Sequence, residues 1–206
     1  MLLIFAGFYV LFGAITYKVG WQVVVENAAR QRPTLQQQIF TLPEDERAQM
    51  LETQSQVAEI TFACTPLILF IGFLVLAGVL LGIFKFIHGK EASFTAVFAV
   101  VVFSMLPAII QSLTASIALL FNPAPENFSI NTMYPTNLAS FLPPDINQLV
   151  LSLSSSIDIV SAWSMILVGL GMSVVTGTSR KTGIMTVFSC WLVINLIRNG
   201  TALLLM

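Results

Sequence analysis

Charge is what this sequence has least of. Asp, Glu, Lys and Arg make up 9% of its 206 residues, against about 25% in an ordinary soluble domain. So few charges cannot dress a water-facing surface. Disorder and most cytosolic enzymes are excluded on that ground. A nucleic-acid binder is excluded as well, because the net charge is −1 and supplies no basic field. Two cysteines and one histidine are too few for a disulfide scaffold or a His/Cys metal site. Catalytic signatures are also missing: no HExxH, no Ser/His arrangement, no paired intramembrane Asp and no phosphate-cradling Gly-Lys-Ser/Thr loop. No catalytic, metal or cofactor residues are therefore assigned.

What the chain has instead is apolar sequence. Hydrophobic residues reach 56% and the mean hydropathy is +0.88, so its solvent is lipid. A crossing helix takes about 20 mostly apolar residues. Five such stretches, at about 2–24, 61–87, 94–121, 157–178 and 183–205, predict an all-α polytopic bundle forming one membrane domain over 1–206. A signal peptide is disfavoured at the start, since Met1 has no basic region after it and no small-residue cleavage site follows Tyr17. Room is left for a cytoplasmic segment ahead of the first span.

Lys and Arg set the orientation. The short turns holding Lys85 and Lys90, and Arg180 and Lys181, are basic, whereas residues 122–157 contain neither Lys nor Arg. Five spans put both basic turns on one side, assigned to the cytoplasm, with the N-terminus inside and the C-terminus outside. Lys18, Arg30, Arg32 and Arg47 on the other side weigh against this. Residues 19–60 then form an outer helical hairpin, either a spacer or a partner-binding surface. Its first helix continues span one and stops at Arg32-Pro33. Its second opens with a capping box, Thr41 as N-cap and Glu44 three residues on, and runs into span two. Residues 122–156 form an outer loop rich in Pro and Asn, with an interfacial apolar stretch at 146–153.

Polar groups inside a bilayer carry the functional information. At 1.5 Å rise per residue, Gln111, Ser112, Asp158, Ser161, Asn195, Arg198 and Asn199 reach compatible depth near the outer face. They form either a pocket for a lipid headgroup or small polar solute, or structure alone. In the structural readings Asp158 caps its helix and Arg198 snorkels outward, or the two pair. Pro107 kinks the third span, freeing a carbonyl for Ser104, Gln111 or a neighbouring helix. Gly78 and Gly82 form a small-xxx-small face for packing within the bundle or dimerisation, and Gly169 and Gly171 allow close packing of span four. Cys64 and Cys190 differ too much in depth to pair, so both are expected as free thiols. The basic turns contact anionic headgroups or dock a cytoplasmic partner.

One ordered set of short motifs runs along the chain. It comprises Lys18-Val19-Gly20-Trp21 through Glu26-Asn27, Leu42-Pro43-Glu44, Ser104-Met105-Leu106-Pro107, Pro135-Thr136-Asn137-Leu138, Asp158 through Ser164, Gly169, Gly171 and Ser179-Arg180-Lys181. In this order they resemble the Yip domain family, the Ypt/Rab-interacting membrane proteins, and its bacterial branch in particular. The resemblance implies a five-span bundle with a cytoplasmic N-terminus, in the bacterial inner membrane. Eukaryotic relatives associate with prenylated small GTPases in vesicle traffic. Some bacterial relatives are linked with ABC-type efflux systems, which implies an accessory membrane subunit. Family members usually carry a cytoplasmic segment before the first span. The expected function is non-catalytic: organising or regulating a membrane protein partner within the lipid bilayer. The alternatives are handling of a lipid or small polar solute by the outer polar cluster, and GTPase-linked trafficking.

Overall fold

A computed structural model describes residues 1–30, 41–121, 128, 134, 136–143, 146 and 148–204, without the side chains of 148, 149, 152 and 198–204. Regular structure among them is helical. Helix α1 spans Leu2–Lys18 and α2 spans Trp21–Arg30. The expectation of one helix over 2–24 is corrected here, because the axis turns by 88° between them. Gly20 causes the turn. Its φ is +82, a conformation that costs glycine nothing, and its N–H bonds back to the Ile15 carbonyl at 3.0 Å, closing α1. The Trp21 indole N–H then donates to Thr16 Oγ1 at 3.0 Å and pins the corner. The Arg32-Pro33 stop lies outside the described residues.

Helix α3 covers Glu44–Ala63 and α4 covers Thr65–Phe86. The N-cap of α3 is Pro43, in extended conformation, so the expected Thr41 capping box is displaced. That box would have placed Leu42 in the helix, and a residue preceding proline disfavours the α region. The acids Glu44, Asp45 and Glu46 do fill the first turn, beside the positive end of the helix dipole. The run from α3 into α4 is interrupted at Cys64, since Pro66 has no N–H to continue the ladder.

Helix α5 spans Phe94–Ser104 and α6 spans Pro107–Leu120. The break falls where Pro107 predicts it. The freed Phe103 carbonyl accepts the Leu106 N–H at 3.2 Å, so a tight backbone turn satisfies it rather than the side chain of Ser104 or Gln111. A 3₁₀ turn at Leu138–Phe141 and helix α7 at Gln148–Ser155 lead to α8, Ile159–Thr176, and α9, Arg180–Leu204. Gly177, at φ +65, caps α8 with its N–H on the Ser173 carbonyl. Three stretches are long and apolar enough to cross a membrane: Thr65–Phe86, Phe94–Leu120 and Ile159–Thr176. Those three are the count among the described residues; the α1–α2 pair passes only if taken together as one span bent by 88°.

Three apolar clusters hold these helices, the smallest joining Ala29 of α2 to Leu51 of α3. Phe73, Ala77, Leu80 and Phe84 of α4 meet Val97 and Val101 of α5, Val168 and Met172 of α8, and Val187 of α9. Leu11, Ala14 and Ile15 of α1 meet Ala115 and Leu119 of α6 beside Trp21 and Phe128. Phe8, Phe12, Trp21 and Phe62 form an aromatic band where α1, α2 and α3 converge. The closest helix approach is between α8 and α9. A Cβ on Gly169 would lie 2.6 Å from the Ile184 Cα, and one on Gly183 would collide with the Gly169 carbonyl. A Cβ on Gly171 would meet the Val100 side chain of α5 at 2.5 Å. Among the described residues nothing lies within 4 Å of a Cβ added at Gly78 or Gly82, so the small-residue face of α4 is open to them and the close packing seen within the bundle is that of α8 and α9.

Gly169→Ala and Gly183→Ala are each expected to destabilise the bundle by about 1–3 kcal/mol, the cost of overpacking against backbone that cannot yield. Gly78→Ala should stay within about 0.5 kcal/mol of wild type. Thermal unfolding in detergent micelles checks both, and equal losses at all three positions would contradict the assignment.

Candidate functional site

The first turn of a helix leaves four N–H groups without partners. In lipid such groups cost several kcal/mol each if unmet. At the start of α8 the chain meets this demand with a carboxylate. Asp158 is only 6% exposed and takes an extended conformation as N-cap. Its Oδ1 accepts the Ser161 N–H at 2.8 Å. Its Oδ2 accepts the Thr136 hydroxyl at 2.5 Å, the short range of a charge-assisted O–H···O⁻ bond. The backbones on either side pair too, through an antiparallel bridge between Asn137 and Asp158. The Leu138 N–H donates to the Ile157 carbonyl at 2.9 Å, and the Ile159 N–H to the Thr136 carbonyl at 3.4 Å.

The loop side of this junction organises itself in the same way. Asn137 is 3% exposed and caps the 3₁₀ turn, its Oδ1 accepting the Ser140 N–H at 2.9 Å. The Ser140 hydroxyl donates to the Tyr134 carbonyl at 2.7 Å. Tyr134 packs against the α1–α6 cluster. Burial, and then the negative charge of Asp158, push its phenol up to about 12, so it stays neutral over all ordinary pH. A second anchor joins the loop to the hairpin: Asn27 Nδ2 of α2 donates to the Phe128 carbonyl at 2.9 Å.

Of the polar residues expected to gather near the outer face, Asp158 and Ser161 come together, as cap and capped N–H. Ser112 is buried and Gln111 half-buried. Their carbonyls serve their own helix, accepting from Ser116 Oγ at 2.7 Å and Thr114 Oγ1 at 3.0 Å. Asn195 Nδ2 donates to the Trp191 carbonyl at 2.9 Å, also within its helix. The side chains of Arg198 and Asn199 lie outside the described residues. Lys85, Lys90, Arg180 and Lys181 are exposed at the opposite end of the bundle, with Lys85 Nζ 4.0 Å from Glu91 Oε1. Cys64 and Cys190 are free thiols.

Sequence reasoning missed Thr136, Asn137 and Tyr134 beside Asp158, and Ser140 as the partner of Asn137 and Tyr134. A signal for one of them was present. Asn137 followed by Leu-Ala-Ser is a side-chain cap three residues ahead of the N–H that donates to it. Nothing local to the sequence ties Thr136 to a residue 22 positions away. The arrangement clamps a loop to a helix end, with both carboxylate oxygens of Asp158 engaged.

A model of the Yip1 domain matches residues 1–197 of the chain. No curated protein and no solved structure matches it.

The raised Tyr134 pKa makes the clamp sensitive to alkali. A tyrosine has a pKa near 10 in the unfolded chain and about 12 here, so over that window the unfolded state binds fewer protons. Its contribution is complete below pH 10 and declines as pH rises toward 12. Tyr134→Phe should unfold with a smaller loss of stability between pH 9 and pH 11.5 than wild type, followed by thermal denaturation. Identical pH profiles would show that the phenol is not buried.

Proposed function

Because the chain belongs to the Yip1 domain family, a non-enzymatic family of multi-pass membrane proteins, we propose that it organises or regulates a membrane protein partner in the bacterial plasma membrane. The proposed topology has five spans, with α9 as the fifth, the basic turns in the cytoplasm, the N-terminus inside and the C-terminus outside. An accessory role in an ABC-type efflux assembly is the form of this reading that the bacterial relatives suggest.

One observation carries the partner reading. Helix α3 is 20 residues long, yet Leu51 is its one buried residue. The bundle uses little of this helix for its own core: Ala58 and Phe62 near its end pack against the α1–α6 cluster, and burying Leu51 adds only about 1.5–3 kcal/mol. A polar helix of that length finds its use in contact with something else. Its exposed face is acidic, with Glu44, Asp45, Glu46 and Glu52, and beside these acids Val57 and Ile60 are 53% and 64% exposed. Charge interleaved with exposed aliphatics suits a protein surface carrying basic and apolar groups. The alternative, a polar solute held by the outer cluster, would require Asp158 to exchange Thr136 for a ligand. The hydrogen bonds of Asp158 support anchoring instead.

Two experiments test this reading. In intact cells, Cys64 should react with a membrane-impermeant maleimide, whereas an Arg180→Cys variant made in a Cys64→Ser background should react only after permeabilisation. The reverse pattern would invert the topology. In purifications from native membranes with mild detergent, Asp45→Lys with Glu52→Lys should lower recovery of the stoichiometric partner at least about fivefold while leaving the unfolding midpoint unchanged. Loss of the partner on changing Lys90 and Lys181 instead would move the docking surface to the cytoplasmic turns.

A further inference from the structure

Helices α4 and α9 lie side by side without closing on each other. Between them runs a groove of about 560 Å³, lined along α4 by Val79 and Ile83, by His88 just past its end, and along α9 by Thr182, Ser189 and Val193 among others. From Thr182 to Val193 the α9 wall is about 16 Å long at 1.5 Å per residue. That is close to one leaflet of a hydrocarbon core about 30 Å thick. The groove is graded in polarity. Its deep part is mainly apolar, with Ser189 and Cys190 on the α9 wall. Its mouth holds Thr182, Thr186 and His88, and His88 Nε2 lies 2.9 Å from Thr186 Oγ1, bridging the two helices. Around the mouth, the turns at the ends of α4 and α9 carry four exposed cations, Lys85, Lys90, Arg180 and Lys181, against one acid, Glu91. Val79 of the lining sits within the open Gly78–Gly82 stretch.

We propose that this groove binds an anionic phospholipid, with one acyl chain along the aliphatic wall and the phosphate at the His88–Thr186 mouth. Three features select this occupant. A groove one leaflet long fits an acyl chain anchored at the headgroup level. A polar mouth offers hydroxyl and imidazole donors to phosphate oxygens. A net excess of cations at that level favours a headgroup of net negative charge over a zwitterionic one. A second copy of the chain, the other candidate for the open glycine face, would have to place an equally basic turn against this one or bury it uncompensated. The inference does not depend on the protein partner and concerns the end of the bundle away from the α3 surface.

The test uses the full chain in detergent, with palmitoyl-oleoyl phosphatidylglycerol and phosphatidylcholine supplied in equal amounts and bound lipid read by native mass spectrometry. Wild type should retain phosphatidylglycerol at least about fivefold over phosphatidylcholine. Ser189→Trp, which fills the groove wall, and Arg180→Gln with Lys181→Gln should each reduce that preference to about unity. Cys190 lines the groove as well, so the unplugged protein supplies its own reporter. In a Cys64→Ser background, labelling of Cys190 by N-ethylmaleimide should slow about fivefold on adding phosphatidylglycerol and not on adding phosphatidylcholine. Equal retention of the two lipids, a preference that survives Ser189→Trp, or unchanged Cys190 labelling would each overturn the proposal. So would a dimer that Ser189→Trp dissociates and that forms without lipid.

Discussion

A backbone inside lipid has no water to fall back on, and the start of α8 is where this constraint is sharpest. The helix begins beneath a loop, and Asp158 is buried there. One carboxylate answers two needs at once: it caps the helix through the Ser161 N–H and captures the loop through Thr136. Burying a charge is costly unless it is paired and hydrogen-bonded. Here that cost is offset because each oxygen has a donor and the flanking backbones complete a small antiparallel bridge. With the loop fixed, Tyr134 closes the α1–α6 cluster and Phe128 takes the hydrogen bond from Asn27 of α2. The loop is thus tied both to α8 and to α2, while the aromatic band holds the hairpin against α1 directly.

The rest of the architecture follows from a few backbone interruptions. Gly20 turns the chain by 88°, which directs α2 away from the axis of α1 and brings it against α3. Pro66 and Pro107 break long apolar runs at places where the neighbouring carbonyls find other partners. Gly169 and Gly183 allow α8 and α9 to touch backbone to backbone, while the α4 glycines stay open. The result is asymmetric: a tight seam on one side of α9 and a lipid-sized groove on the other. A polar helix with one buried residue projects at one end, and a cationic rim surrounds the other. Both ends present surfaces that the core does not use.

Much of this was legible in the residues. The scarcity of charge announces lipid, Pro107 announces a broken helix, and Asp158 ahead of an apolar run announces a cap. The bend at Gly20 was not, because Lys18-Val19-Gly20-Trp21-Gln22, followed by three valines, reads equally well as helix continuing from the first span. The capping box at Thr41 looked correct by spacing and failed on the stereochemistry of Leu42 before Pro43. Gly78-xxx-Gly82 matched a packing motif and Gly169 with Gly183 did not, yet the latter make the contact. Close approach depends on which helices neighbour each other, and spacing within one helix is silent on that. The pairing of Thr136 with Asp158 was hidden for the same reason, since it crosses a loop and α7.

The most direct test of the loop clamp is a double-mutant cycle on Thr136→Val and Asp158→Ala, read as unfolding free energies in micelles. A hydrogen bond to a charged group contributes about 1.5–3 kcal/mol, so the pair should show a coupling of that size, with Asp158→Ala the more damaging single change because it also removes the cap. Additive effects within about 0.5 kcal/mol would mean that the carboxylate does not hold the loop, and the junction on which the fold is argued to depend would be lost.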